Sequence, residues 1–138
     1  MKQRSDPDTM PTPVHRVALL GMFAVVVFDA IASLASLAIG FNYEYSAFGS
    51  LLLYCVFGYW ASSVRTILFA SIVGALMGLT DASLGWAVSW ILGTGRWEPG
   101  VLTLPTWALI ALQVTAVATI CALLGGVVRR YMPRGLNR

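Results

Sequence analysis

Two aspartates stand within long apolar stretches of this 138-residue chain. Asp29 follows the apolar run 17–28 and Asp81 follows the largely apolar run 67–79, with no lysine, arginine or histidine in either run to pair with them. An aspartate at the centre of a membrane-spanning helix costs roughly 2.5–3.5 kcal/mol, and acids at such positions commonly bind protons or cations. These two residues are therefore the strongest candidates for chemistry.

The two aspartates are expected to belong to one polar layer. At 1.5 Å of rise per residue, Asp29 and Asp81 lie about 18 Å and 22 Å from the same end of their helices, and Tyr54 and Gln113 fall about 18 Å from that end. We expect at least one carboxyl to be protonated at neutral pH, because two buried negative charges repel each other, with Tyr54 and Gln113 supplying hydrogen bonds. The candidate site residues are Asp29, Tyr54, Thr80, Asp81, Gln113 and Thr115.

This polar layer has two interpretations. In the first it is a structural clasp that fixes the register of the helices, worth about 0.6 kcal/mol for each hydrogen bond between helices. In the second the carboxyls bind and release a proton or a small cation during transport. The sequence supports the two interpretations about equally.

The composition excludes a soluble domain. Hydrophobic residues make up 58% of the chain, charged residues 11%, and the mean hydropathy is +0.77. A soluble domain is about 25% charged, and fifteen charged residues cannot cover its surface. The apolar content equally excludes disorder. The net charge of +3 does not indicate a nucleic-acid partner, because the basic residues lie at chain ends and helix ends without interleaved aromatic residues. An integral membrane protein remains.

Four stretches are long and apolar enough to span a bilayer, which needs about 20 residues each. The expected fold is an all-α integral membrane bundle of four transmembrane helices, at 17–40, 46–62, 66–93 and 105–128. A flexible cytoplasmic tail, 1–16, precedes them, and a basic cytoplasmic tail, 129–138, follows them.

The basic residues predict the orientation. Eight of the nine fall on one side of the expected bundle and only Arg96 falls on the other, so both termini are expected in the cytoplasm. The general appearance of the chain, especially residues 79–86, resembles small bacterial membrane proteins with four helices, and no function is carried over from this resemblance. We expect a bacterial-type cytoplasmic (inner) membrane. Arg129, Arg130 and Arg134 are expected to contact anionic lipid headgroups.

Small residues form a stripe on the third helix. Ser71, Gly74, Gly78, Asp81 and Gly85 are spaced by three or four residues, which places them on one helical face. Small residues let helix backbones approach closely in lipid. This helix-packing face is expected inside the protein, and in an oligomer Gly74 and Gly78 are candidate contacts with another copy.

Residues 29–35 and 81–87 share a pattern, and each is followed by a loop and a helix with one cysteine, Cys55 or Cys121. One interpretation is a parallel repeat of two helical hairpins. The other is that small residues recur in every membrane helix. The two cysteines are expected too far apart in depth to form a disulfide.

The sequence contains no motif for nucleophilic catalysis, metal binding or nucleotide binding. We therefore expect no enzymatic activity, no metal and no cofactor. The favoured function is a non-enzymatic accessory or assembly component of a larger membrane complex, with the lipid bilayer and either another membrane protein or copies of itself as partners. The alternative is a homo-oligomeric carrier or channel, coupled to protons or cations, that uses Asp29 and Asp81.

Overall fold

The computed structural model describes residues 14–96 and 103–132, which form helices and turns with no strand in these two ranges. The elements are α1 (Val14–Ile39), a 3-10 turn (Tyr43–Tyr45), α2 (Ser46–Val64), α3 (Ile67–Thr80), a π-helical segment (Asp81–Gly85), α4 (Trp86–Leu92) and α5 (Leu104–Tyr131). The π-helical segment joins α3 and α4 into one continuous helix, Ile67–Leu92. The prediction of an all-α fold with four helices long and apolar enough to cross a membrane is confirmed.

Local sequence explains where these helices begin and end. Gly40, after α1, and Gly93, after α4, adopt φ of 71° and 95°, a left-handed conformation that favours glycine. The Thr103 hydroxyl accepts a hydrogen bond from the Thr106 backbone N–H, and Pro105 stands in the first turn of α5, where its missing N–H costs little. Most of the two expected tails, including Arg134, lies outside the described residues.

The bundle has two chemically different ends. The start of α1, the turn between α2 and α3 and the end of α5 lie together and carry Arg16, Arg65, Arg129 and Arg130; we call this the basic end. The opposite end, which we call the loop end, contains the 3-10 turn and the end of α4.

Close contact between α2 and α5 depends on glycine. A Cβ at Gly58 would overlap the backbone of Ala122, and a Cβ at Gly125 would overlap the carbonyl of Cys55. This contact corrects the expectation about the cysteines. The contact of Gly58 with Ala122 places Cys55 within about two residues of the level of Cys121, although both cysteines are free, as expected. Depths counted from the start of each helix are wrong here because α2 and α5 do not start at the same height.

Two glycines of the small-residue stripe pack α3 against α5. A Cβ at Gly74 would lie 2.6 Å from the Ala122 Cβ, and one at Gly78 would lie 2.7 Å from the Ala118 Cβ. Ser71 is half-buried and donates to a backbone carbonyl of its own helix. The idea that Gly74 and Gly78 contact another copy therefore needs correction, because α5 of the same chain already covers them.

Candidate functional site

The carboxyls of Asp29 and Asp81 lie against each other at the loop-end half of the bundle. Asp29 comes from the regular helix α1, and Asp81 is the first residue of the π-helical segment. Both carboxyls lie next to Gly85. A Cβ at Gly85 would overlap Asp29 Oδ2 and lie 3.0 Å from Asp81 Oδ1. Gly85 therefore provides the space in which the two carboxyls meet.

The pair combines a buried acid, Asp29, with a half-buried one, Asp81. Asp29 is only 3% exposed, and its Oδ2 has no hydrogen-bond partner among the described residues. The polar groups that meet Asp29 are the Asp81 carboxyl and the Tyr43 hydroxyl, and no basic side chain within residues 14–96 and 103–132 pairs with it. Two ionised carboxylates repel each other, and a buried charge without a partner is strongly destabilising. The arrangement therefore favours a proton or another cation between the two.

Each carboxyl accepts a hydrogen bond from a tyrosine. The Tyr54 hydroxyl, from α2, donates to Asp81 Oδ2, and the Tyr54 side chain is almost fully buried. The Tyr43 hydroxyl, from the 3-10 turn, donates to Asp29 Oδ1 across 3.4 Å. Sequence reasoning missed Tyr43, because a tyrosine in a polar turn reads as an aromatic residue at the membrane interface. Only the folding of the turn over α1 brings it to the carboxyl pair.

Asp81 lies in a π-helical segment that accepts a hydrogen bond from a side chain of α5. The backbone N–H of Trp86 donates to the carbonyl of Asp81, five residues earlier. The indole Nε1 of Trp107 donates to the carbonyl of Ala82 across 3.2 Å. A π-bulge in an α-helix occurs frequently at functional sites. Sequence periodicity carries no signal for this segment, and neither it nor Trp107 was expected at the site.

Gln113 does not join the carboxyl pair. Its side chain is exposed on the wall of a cavity, and its expected level needs correction. The contact of Gly58 with Ala122 places Tyr54 level with Ala118 on α5, five residues or about 7.5 Å beyond Gln113. The helix α5 extends further toward the loop end than α2, so equal counts from the two helix starts give different heights.

The two threonines also lie apart from the pair. The Thr80 hydroxyl is buried and donates to the carbonyl of Leu76 across 2.8 Å, within its own helix. Thr115 is half-buried, and its Cα would lie 2.7 Å from a Cβ at Gly78, in the contact between α3 and α5. Of the six candidate residues, the structure brings together Asp29, Tyr54 and Asp81.

A cavity of about 480 Å³ opens beside the carboxyl pair, between the loop-end halves of α2 and α5. Aliphatic and aromatic side chains form most of its wall, and it extends from Glu44 and Ser46 at the loop end to Asp29 and Asp81. The helices are separated here because Gly58, where α2 and α5 touch, lies nearer the basic end. The site can hold a small molecule in contact with two acids.

A second cavity, of about 600 Å³, lies at the basic end between the α2–α3 turn and the end of α5. Arg65, Arg129 and Arg130 line it together with serine and threonine side chains. The guanidinium of Arg129 lies over the Tyr59 ring, 5.5 Å from its centroid. Two of the three arginines expected to contact lipid headgroups thus share one cavity, and Arg65 joins them. The third, Arg134, lies outside the described residues.

No protein-family model matches the chain, and neither the curated proteins nor the solved structures include a match to it. The functional conclusions therefore come from the chemistry of the site itself.

Proposed function

We propose that this protein is a membrane carrier in which the Asp29–Asp81 pair exchanges a proton for another cation. The observation that carries the proposal is the buried Asp29 Oδ2, which faces Asp81 without a hydrogen-bond partner among the described residues. One positive charge between the carboxyls removes the repulsion between them. A proton or another cation can provide that charge, and the two therefore compete for the site. The proposed activity is non-enzymatic and needs no cofactor.

The outward surface supports a place in the membrane. Large apolar side chains are exposed on all four helices, including Phe23, Leu52, Ile72 and Leu112. A continuous apolar surface of this kind marks a site of association or a lipid-facing surface. The positive charge at the basic end supports an orientation in which this end lies in the cytoplasm, and we propose a bacterial-type cytoplasmic membrane with both chain termini inside.

This orientation is testable with single cysteines. In a background with Cys55 and Cys121 replaced by serine, Arg65→Cys and Arg96→Cys place a thiol at the basic end and the loop end respectively. A membrane-impermeant maleimide added to whole cells is expected to label Arg96→Cys, and to label Arg65→Cys only after permeabilisation. The reverse pattern would overturn the orientation.

The geometry favours a carrier over an open channel. The cavity reaches the carboxyl pair from the loop end. Toward the basic end, the contacts of Gly58 with Ala122 and of Gly125 with Cys55 leave no room between α2 and α5. Release of an ion on that side therefore requires α2 and α5 to separate or a second copy to complete the path.

Flux measurements test the proposed function. Purified protein in liposomes is expected to move protons when a cation gradient is applied, as reported by a pH-sensitive dye. Asp29→Asn and Asp81→Asn remove the ionisable groups and are expected to lower this flux at least tenfold. The control is Ser83→Ala, which lies in the same π-helical segment but bonds to its own helix backbone. Unchanged flux in both asparagine variants, or no flux from the folded wild type, would refute the proposal.

The accessory interpretation depended on small-residue faces that could bind a partner. The structure covers Gly74 and Gly78 with α5 of the same chain, so these faces are already occupied. A stable complex with another membrane protein, isolated from a preparation without flux, would favour the accessory function over the carrier.

We also propose that the basic cavity holds an anionic phospholipid headgroup, since three guanidinium groups and several hydroxyls line it. Phosphatidylglycerol is expected to raise the thermal stability of the detergent-solubilised protein more than phosphatidylcholine does. Arg129→Ala should reduce this difference, whereas the control Arg16→Ala, exposed at the same end but outside the cavity, should not. Equal stabilisation by both lipids would contradict this assignment.

A further inference from the structure

We infer that the cation exchanged at the carboxyl pair is a monovalent organic cation, such as an ammonium. Its apolar part fills the cavity beside Asp29 and Asp81. This inference rests on the proposed function, because it names the substrate class of the same site. The cavity, the aromatic side chains that line it and the unpartnered Asp29 oxygen beside them together support the inference.

The size of the cavity suits a small organic molecule. Its volume of about 480 Å³ falls within the range of roughly 300–1,000 Å³ that ligand pockets occupy. α2 forms one wall and α5 forms another, and Asp29 and Asp81 line the same cavity. A bound ligand can therefore place a charged group against the acids and its remaining atoms between the two helices.

Aromatic rings surround the path to the acids. Tyr43, Tyr54, Trp86 and Trp107 line the cavity and come from the 3-10 turn, α2, α4 and α5. The faces of indole and phenol rings attract ammonium groups through cation–π interactions worth about 2 kcal/mol when desolvated. Aliphatic side chains of α2 and α5 complete the wall: Leu51, Ile110, Val114 and Val117. These groups bind carbon atoms of a ligand, not its charge.

The same wall disfavours a bare inorganic ion. Ca²⁺ takes six to eight oxygen ligands and Mg²⁺ requires near-octahedral coordination. The two carboxyls and the phenols of Tyr43 and Tyr54 are joined by oxygens of Glu44, Gln113 and three serines, but these come from different elements and the lining is largely carbon. A hydrated ion gains nothing from apolar walls. Anions are disfavoured as well, since none of the residues that line the cavity is lysine, arginine or histidine.

Ligand and proton compete for one charge. The titratable groups that face the pair are the phenols of Tyr43 and Tyr54, from the turn and α2, with Glu44 at the loop-end mouth; α5 contributes only the uncharged Gln113 among its polar side chains there. When a monovalent cation binds the protonated pair, the proton leaves to solution and the net charge of the site is unchanged. Binding is therefore expected to weaken on acidification, by at most about tenfold per pH unit.

The probe for the experiment is benzyltrimethylammonium, whose benzyl group and single charge match the cavity. Binding to the detergent-solubilised protein is measured by isothermal titration calorimetry, with empty micelles as the blank. Neopentylbenzene, the neutral isostere of the probe, tests the contribution of charge, and potassium tests the contribution of the apolar body. The probe is expected to bind at least tenfold more tightly than either.

Two variants separate the acids from the cavity. Asp81→Asn removes one acid and is expected to weaken binding of the probe at least tenfold. Val114→Phe places a larger side chain in the cavity and is expected to weaken it comparably while both carboxyls remain. Val127→Phe makes the same substitution on α5 at a partly exposed position outside the cavity and is expected to bind as the wild type does.

The outcomes for the inference and for the proposed function are distinct. Proton flux driven by potassium in liposomes, without binding of benzyltrimethylammonium, would overturn the organic-cation inference and leave the carrier proposal standing. Binding that survives in Asp81→Asn and Val114→Phe would also overturn the inference. Charge-dependent binding without flux in any gradient would support the assigned ligand class and overturn the carrier proposal.

Discussion

The two ends of the bundle use the same residue type for different purposes. At the basic end, Gly58 removes a side chain so that the backbone of Ala122 can approach. In the loop-end half, Gly85 removes a side chain so that the carboxyls of Asp29 and Asp81 can meet. In the first case glycine brings helices together, and in the second it makes space for charged groups. The surroundings of a small residue, rather than its spacing, determine which purpose it serves.

This difference has a consequence for the whole molecule. Around Gly58 and Gly125, α2 and α5 touch and leave no cavity. Toward the loop end the same two helices diverge, and a cavity of about 480 Å³ opens beside the acids. The same pair of helices thus forms a close contact in one half of the bundle and a largely apolar cavity with two acids in the other.

The largest effect is expected from breaking the tight end. Gly58→Ala places a Cβ in the backbone of Ala122, and since backbone cannot move as a side chain can, we expect a loss of about 3 kcal/mol in the free energy of unfolding. Reversible unfolding in mixed micelles measures it. The control is Gly126→Ala, where the nearest atom is a side-chain carbon 3.3 Å away. Equal stability of the two variants would contradict the close contact between α2 and α5.

A smaller loss is expected where glycine makes room for the acids. Gly85→Ala should lower the free energy of unfolding by about 2 kcal/mol, because the new Cβ overlaps Asp29 Oδ2. Asp29→Ala removes that oxygen, so the double variant should be more stable than the sum of the two single effects by about 1 kcal/mol. Simple additivity in a double-mutant cycle would show that Gly85 does not accommodate the carboxyl.

Removal of the Tyr54 hydroxyl tests whether polar contacts matter more at the carboxyl pair than at the basic end. Tyr54→Phe leaves Asp81 without its phenol donor and should cost about 1–1.7 kcal/mol of unfolding free energy, the upper range for polar contacts between membrane helices. Tyr59→Phe is the matched control on the same helix, since among the described residues its hydroxyl hydrogen-bonds to Met132 Sδ alone, 3.7 Å away at the basic end. A cost as large for Tyr59→Phe would remove the distinction between the ends.

The smallest effect is expected at the π-helical segment. Trp107→Phe removes the indole N–H that donates to the Ala82 carbonyl and should cost about 0.6 kcal/mol. Hydrogen exchange should become faster for the amides of Asp81–Gly85 and unchanged in α1. Trp90→Phe, at a half-exposed position in α4, is the control. Protection of the segment equal to that in wild type would show that Trp107 does not hold it.

The helices and the two acids were within reach of sequence reasoning. Long apolar runs separated by polar turns predict four helices, because burial of backbone polar groups in an apolar medium requires helical hydrogen bonds. Asp29, Asp81 and Tyr54 stood out as polar groups in apolar runs, and the structure places them together. Counting residues gives the depth of a side chain well near the middle of a helix. Whether side chains at one depth meet also depends on their length and direction.

The remaining features of the site were not within reach. Gln113 and the two cysteines were misplaced because the offset between α2 and α5 comes from the contact of Gly58 with Ala122, not from helix starts. Tyr43 joins the site only because a turn folds back over α1. These are long-range relations between elements, and no local pattern encodes them.

Local composition and helical geometry are enough to predict four apolar helices with two acids inside them. That those acids meet beside Gly85, that Asp81 begins a π-helical segment and that a cavity lies next to them follows only from the packing of the folded chain. The physical reason is that helix offset and divergence are set by close packing between surfaces distant in sequence, and only the folded chain brings those surfaces into contact.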